Sequence, residues 1–514
     1  MLAIAGVSVR IAIRRANPIL RSRVVETLAA RFHSRVELAE LNVWIANGLH
    51  VEGAGLEIYG TTDPNPWEPG VQPLLRVGKF RFQTGLIDLF RDPMHVDTIY
   101  VTGLTVNIPP KKDRQQAIVR QRSGRMHIAV DRLICDDAKL VVNTERADKP
   151  PLEFDIRELK MRELAPGQPL KFDATLVNPK PVGDIHSVGE FGPLDDKSPR
   201  DSAVSGEYTF SHADLGTLKG IAGILSSTGR YAGTLGRIEV SGETDTPDFR
   251  LEVSGHRVPL HTAFHAIVDG TDGDTYLDPV QATVLHSSFT AKGKIARVDG
   301  TRTHDIELDV VLGHATIEDL LTLGVKTDPP LMTGIVGMDA RLSLPPGPAD
   351  LADRLKLSGQ FHISNGFFTS DKIQTRIDEL SWRSQGRPRE AHEHPDERIP
   401  SDLQGRFSLD EGIMSFAALQ FQVQGTQAEV TGKYSLDGNT FDFYGTLRLD
   451  AKLSQMTTGW KSVLLKPVDP FFHKDGAGTE IPFKITGTRS EPHFGLDFGH
   501  KEEHTNGGRS ESNH

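Results

Sequence analysis

SDLQGRFSLDEGIMSFAALQFQVQGTQAEVTGKYSLDGNTFDFYGTLRLD, residues 401–450, carries the cleanest alternation of apolar and polar residues in the chain. Ala417, Leu419, Phe421 and Val423 alternate with Gln420, Gln422 and Gln424, which is the two-residue period of a strand with one wet face. In the next strand Val430, Gly432, Tyr434 and Leu436 share a face opposite Glu429, Thr431, Lys433 and Ser435. Asp437-Gly438-Asn439 supplies a hairpin turn. Phe441, Phe443, Gly445, Leu447 and Leu449 then return in phase. Three strands therefore form a meander with one apolar side.

That side requires a cover. Burying a Phe, Leu or Val side chain is worth about 1.5–3 kcal/mol, so ten of them left in water forfeit more than the roughly 5–15 kcal/mol stability of a domain. Three covers exist: a second sheet, packed helices, or an apolar ligand held in a groove. The strand pattern alone favours the closed sandwich.

The whole chain reads as mostly β. Its 514 residues hold 49 Gly and 31 Pro against 37% hydrophobic residues, the punctuation of many short strands and turns. A net charge of −11 argues against nucleic acid as a partner. Cys135 is the single cysteine, so no internal disulfide forms and zinc sites built on paired cysteines are excluded.

Met1–Ile13 is mostly apolar but is interrupted by Arg10, and a bilayer span needs about 20 residues. Arg10, Arg14, Arg15, Arg21 and Arg23, followed by Arg31 and Arg35, face one acid, Glu26. That asymmetry predicts attachment to an anionic membrane surface; a solvated basic helix face is the alternative. Pro18 opens a predicted helix through Phe32, with Leu20, Val24 and Leu28 on one stripe. Short strands are predicted over 36–43, 49–51 and 56–58, cut by Gly48, Gly53 and Gly55. Further strands are predicted over 76–82, 96–108 and 126–142, with a helical turn near Leu86–Phe90 and a basic loop over 111–125. Residues 179–199 read as a long loop and 383–400 as a charged one. Thr316 and Asp319 fit a capping box for a helix ended by Gly324. Helices are too scarce to cover the sheet.

A five-residue strand type recurs: GEYTF (206–210), GQFHI (359–363), GRFSL (405–409) and GKYSL (432–436). The spacings are unequal, so it is not a fixed-period solenoid.

Two longer stretches resemble a known family. RVELAELNVWIANGLHVEGAGLEIYG (35–60), continued by LLRVGKFRFQTGLIDLFRDPMHVDTIYVTGLTVNIPP (74–110), is similar to the N-terminal region of AsmA-like envelope proteins. TIEDLLTLG, LADRLKLSGQFHISNGFFTSDKIQTRIDELSWRSQG, the 405–451 stretch and IPFKITGTRSEPHFGLD resemble the C-terminal region of that family, in order. The resemblance implies an inner-membrane-associated protein facing the periplasm. It also implies a long curled antiparallel sheet whose open apolar groove is like those of bridge-like lipid-transfer proteins. Acyl lipid such as phospholipid is then the expected partner, with envelope proteins at the groove ends and no enzymatic activity. The expected lining is Phe407, Leu409, Leu419, Phe421, Val423 and Val430, with Tyr434, Leu436, Phe441, Phe443, Leu447 and Leu449. The expected organisation is a basic N-terminal helix and anchor at 1–35, β regions at 36–178, 200–345 and 346–499, and a polar tail at 500–514. The alternative function is a structural or chaperone-like scaffold for outer-membrane protein assembly through exposed strand edges.

Catalytic signals are weak. His261 and His265 have the spacing of helix-borne metal ligands, with His256 and His286 near in sequence, but Pro259 flanks them and no Glu intervenes. Surface histidines are the preferred reading. Asp269–Asp274 is acid-rich without the order of a calcium loop and reads as a polar turn. No nucleophile elbow, phosphate-cradling loop or dinucleotide fingerprint occurs. No catalytic residue, metal or cofactor is therefore assigned.

Overall fold

The computed structural model describes residues 21–26, 28–29, 34–59, 72–85, 87–88, 94–108, 128–142, 151–165, 167–195, 198–271, 273–297, 304–326, 328–347, 351–389, 397–435, 440–456, 478–488 and 491–496. Twenty-four strands form one mostly antiparallel open sheet. Two compact units divide the chain, one of residues 1–250 and 257–280, the other of residues 251–256 and 281–514. Their boundary falls within a strand, Thr275–Val284 (β14).

The first unit opens with a helix over residues 21–26 (α1). Its strands are Val36–Ile45 (β1), Leu49–Ile58 (β2), Leu75–Thr84 (β3), Met94–Ile108 (β4), Ile128–Val142 (β5), Leu152–Leu164 (β6) and Leu170–Pro179 (β7). They continue with Val182–Phe191 (β8), Ala203–Asp214 (β9), Ile221–Ala222 (β10), Ile224–Thr234 (β11), Arg237–Leu251 (β12) and Val258–Val268 (β13). Ladder neighbours are antiparallel from β1 to β4, from β5 to β9, and through β9–β11–β12–β13. β4 and β5 pair in parallel, Met94 with Ile128 and Ile108 with Val142.

The three short pieces expected over 36–58 are two ten-residue strands, because Gly53 and Gly55 lie inside β2 and do not end it. Gly55 takes a φ of +65°, and a Cβ there would sit 2.8 Å from the Cβ of Ala39. It is unpaired in both of its ladders, which keep the same register on either side of it, so the strand's facing slips by one residue there without a shift of pairing. The same slip recurs at one height across β1 to β6. The apolar phase steps by three residues in place of two from Leu38 to Leu41, Gly53 to Leu56, Val77 to Phe80, Val101 to Leu104, Cys135 to Ala138 and Ile156 to Leu159. Because all six strands slip together, their apolar residues stay on one face on both sides of the line. Leu38, Leu41 and Val51 form a buried cluster there, joined by Val24 and Val25 of α1 and by Phe80 and Phe82.

β8 replaces the middle of the loop expected over 179–199. Its inward positions Gly183, Ser187 and Gly189 are small or polar, and Val188 points outward at 48% exposure, so the alternation is hidden from a hydrophobicity count.

The second unit runs through Ser287–Arg297 (β15), His304–Thr316 (β16), Ile317–Gly324 (α2), Met332–Leu344 (β17) and Lys356–Phe368 (β18). Asp371–Ser384 (α3), Ser401–Asp410 (β19), Ile413–Val423 (β20), Thr426–Ser435 (β21), Thr440–Leu449 (β22), Thr479–Thr488 (β23) and Pro492–Leu496 (β24) complete it. β15 to β24 pair successively and antiparallel.

The helix after Thr316 forms, but the capping box does not: Thr316 makes no side-chain cap. The Asp319 carboxylate, 5% exposed, instead accepts from the His286 backbone N–H at 3.0 Å and the Ser287 hydroxyl at 2.8 Å. Ser287 in turn accepts from the Thr316 N–H at 2.9 Å. Asp319 thus ties α2 to the start of β15, and the longer-range partner outcompetes the local one. α3, which periodicity missed, starts within the predicted strand region and runs into the segment expected to be a charged loop.

Candidate functional site

In the second unit the ladder registers place apolar residues or glycine on one face of successive strands. Phe289 faces Leu312 and Ala291 faces Val310. Met338 faces Phe361, Phe407 faces Phe416, and Phe443 faces both Gly432 and Ile485. The opposite face carries cross-strand ion pairs, such as Arg341–Asp309 at 2.8 Å, Lys294–Glu307 at 3.1 Å and Lys356–Asp410 at 3.0 Å. These exposed pairs are each worth about 0–1 kcal/mol, so they set which side is wet more than they stabilise it.

No second sheet is packed on this apolar face among the described residues: the principal contacts of each strand are with its ladder neighbours. The sandwich alternative is therefore not the fold. Helices do close one end. α2 packs Ile317, Leu320 and Leu321 on Leu312, Ala315, Met332, Val336 and Ile363. α3 caps the row Val423, Thr426, Leu449 and Thr479, which is 2–3% exposed.

The predicted lining residues divide accordingly. Leu409, Val423, Val430 and Leu449 are buried, whereas Phe407, Leu419, Phe421, Tyr434, Phe441, Phe443 and Leu447 are half-buried. Leu436 lies outside the described residues. Ala417 is a correction. The registers step from Gly405↔Leu419 to Phe407↔Phe416, so a bulge removes Ala417 from the apolar face, where it is exposed. Phe416 and Met414, missed by strict alternation, take its place opposite Gly432 and Tyr434. Ring centroids stand 5.9 Å apart for Phe416–Phe443, 6.4 Å for Phe441–Phe443 and 6.1 Å for Phe361–Phe407. This spacing is that of aromatic packing.

The recurring five-residue strands have a structural reason. Gly359 faces Phe407 while Gly405 faces Phe361, and Gly206 faces Tyr231 while Tyr208 faces Gly229. A Cβ at Gly445 would stand 3.0 Å from the ring of Phe483. The glycines let rings lie across the neighbouring backbone, so the aromatic residues pave the face and do not stand up from it.

The basic residues expected at a membrane surface belong to the first unit. Arg21 donates to the Ala39 carbonyl at 2.9 Å and exposed Arg23 pairs with Glu26 at 3.6 Å; Arg10, Arg14 and Arg15 lie outside the described residues. No helix among the described residues is long and apolar enough to cross a membrane.

His261 and His265 lie on a strand, β13, and their partners are across the ladder: His261 Nδ1 is 2.7 Å from Asp245 and His265 Nδ1 is 3.0 Å from the Ser241 hydroxyl. His256, in the second unit, contacts the Thr322 carbonyl at 2.9 Å, and no group of His, Cys, Asp and Glu among the described residues could hold a metal ion. In the acid-rich stretch the chain turns at Gly270 and Thr271, and the Gly273 N–H donates to the Asp269 carbonyl at 2.7 Å; Asp272 lies outside the described residues. Burial pushes the Cys135 thiol up to about 11, aided by Asp136 and Asp137, which leaves an inert neutral thiol at neutral pH. On the polar side of the first unit a cleft of about 590 Å³ is lined by Trp44, His50, Arg81, Asp97, Tyr100 and Arg132. It contains a Trp44–His50 stack at 5.1 Å and an Arg132–Asp97 pair at 3.2 Å.

No family model matches the chain, and no curated protein matches it.

Proposed function

We propose that this chain is an AsmA-like envelope protein that binds lipids and moves them along an apolar sheet face without making or breaking a bond. The observation that carries the reading is the paved face of β15–β23. Its rings are half-buried, so each loses part of the 1.5–3 kcal/mol that full burial provides unless acyl tails lie over them. A paved floor suits sliding, since no ring forms a pocket that a tail must leave.

Mass spectrometry of the purified chain tests this. Bound phospholipid is expected, and Phe443→Asp is expected to lower it several-fold while Lys433→Asp, on the wet face, leaves it unchanged. Absence of lipid from the wild-type chain, or equal loss from both variants, overturns the reading. Protein crosslinks from the short edge strand β24, with none to lipid, would instead favour the scaffold alternative.

The same proposal puts the chain at the inner membrane, facing the periplasm, with residues 1–35 on an anionic surface. Each basic residue near such a surface contributes about 1 kcal/mol. Flotation with anionic liposomes is expected for the full chain at low salt and to be lost without residues 1–35. Equal flotation of the truncated chain refutes this attachment.

A further inference from the structure

In the first unit the face that continues from β1 to β13 changes chemistry. From β7 onward its rows run Phe172–Gly189–Gly206–Tyr231–Val240–Ala266, Ala174–Ser187–Tyr208–Gly229–Gly242–Phe264 and Leu176–Ile185–Phe210–Ser227–Thr244–Thr262. Hydroxyls replace apolar groups at six of these positions, and none of the eighteen residues is ionisable at neutral pH. The two tyrosine rings lie over glycines: a Cβ at Gly206 would be 2.8 Å from Tyr231 Cζ, and one at Gly229 would be 2.7 Å from Tyr208 Cε1.

The hydrogen-bond directions decide what this belt offers. Ser187 donates to the Glu207 carbonyl at 3.0 Å, so Tyr231, 2.7 Å away, donates to Ser187. Ser227 donates to the Glu243 carbonyl at 2.9 Å, so Tyr208, 3.1 Å away, donates to Ser227. Both phenol hydrogens are therefore spent within the floor, and what the phenols keep is acceptor lone pairs. Burial raises the Tyr231 phenol above its ordinary value, which holds it neutral. Thr244 and Thr262 share one bond at 2.6 Å, leaving a single hydroxyl hydrogen for the belt.

We propose that this belt, rather than being a plain tail path, selects lipids whose acyl portion carries hydrogen-bond donors, namely hydroxylated or amide-linked acyl chains. An ester or a phosphate resting on it brings acceptors to a floor whose one spare hydroxyl hydrogen is at the Thr244–Thr262 pair, and a phosphate finds no cation on these rows; burying it there is unfavourable. A hydroxyl or amide N–H fits the free lone pairs, and its alkyl neighbours fit Phe172, Phe210 and Phe264. The belt crosses β8, β9, β11, β12 and β13, about 19 Å at roughly 4.8 Å per strand, comparable with an acyl chain. This inference rests on the lipid reading above.

The test compares binding of β-hydroxymyristoyl amide and of methyl myristate to the full chain by displacement of a fluorescent fatty acid. The amide is expected to bind about tenfold more tightly. The double variant Tyr208→Phe/Tyr231→Phe, which keeps the rings, is expected to bring that ratio to about one without altering methyl myristate binding. Ser227→Ala, which releases the Tyr208 hydrogen, is expected to lower the ratio by improving the ester. If methyl myristate binds and the wild-type ratio is near one, or the double variant keeps the preference, the belt is only a cross-strand clamp and the inference is overturned while the lipid reading stands. If neither probe binds, both fall.

Discussion

Gly432→Val is expected to lower the stability of the second unit by about 3 kcal/mol, the upper end of what overpacking costs. Gly432 pairs with Phe416 on one side and Phe443 on the other, and its own missing Cβ is what leaves room for both. A Cβ there would lie 2.7 Å from the Phe443 Cα, with the Phe443 ring and the Asp442 carbonyl also in the way. Two of these three obstacles are backbone, so a rotamer change cannot relieve them. Gly313→Ala, where a Cβ meets nothing within 4 Å, is expected to change stability by no more than about 0.5 kcal/mol. Chemical denaturation of both variants, with amide exchange in β21 and β22, measures the difference. Equal small effects would mean that the ring paving adapts freely.

Gln374→Leu is expected to cost about 2–4 kcal/mol although it nearly preserves volume. The Gln374 side chain is 2% exposed. It accepts from the Phe368 N–H at 2.8 Å and donates to Asp378 at 2.7 Å and to the Ile399 carbonyl at 3.0 Å. One amide thus joins the end of β18, the body of α3 and the chain entering β19. Leucine leaves those three groups short of a partner out of reach of water, and each unsatisfied buried group costs about 1–3 kcal/mol. Asp378 retains the Ile399 N–H at 2.9 Å, which limits the loss. Denaturation midpoints check the prediction; a change below about 1 kcal/mol would show that water replaces the amide.

α3 also explains what the sequence hides. Its buried residues are Gln374, Asp378, Ser381 and Ser384, so the side that faces the sheet is polar and satisfied by hydrogen bonds, such as Ser381 to the Gln424 carbonyl at 2.6 Å and Thr426 to Ser384 at 2.7 Å. A search for an apolar stripe cannot find such a helix. Ser370 followed by Asp371 was a usable start signal. The strands of 401–450 were legible because one wet face and one apolar face impose a strict period of two. The phase was lost only at Ala417, where a bulge adds a residue without changing composition. The aromatic face of the candidate site was therefore readable from Leu419 to Leu449, whereas Phe416 and Met414 depend on knowing the register. The hydroxyl belt was unreadable for another reason: Ser187, Ser227 and Thr244 look like wet-face residues until pairing shows which way they point.

The parallel pairing of β4 with β5 sets a length requirement on the chain between them. Ile108, at the end of β4, lies beside Val142, while the next strand begins at Ile128 beside Met94, so residues 109–127 must bring the chain back along the full strand. Fifteen residues at about 3.3 Å each make that return roughly 46–50 Å, and twenty peptide steps reach at most about 66–72 Å. The tether has slack for only a handful of residues. Insertions in this segment cost little, since loop entropy grows slowly with length. A deletion of more than about six residues instead forbids the parallel register outright and forces β5 to search for another edge. The other ladders between consecutive strands among the described residues are antiparallel, so their connections need not run back the length of a strand; this one is a measured leash.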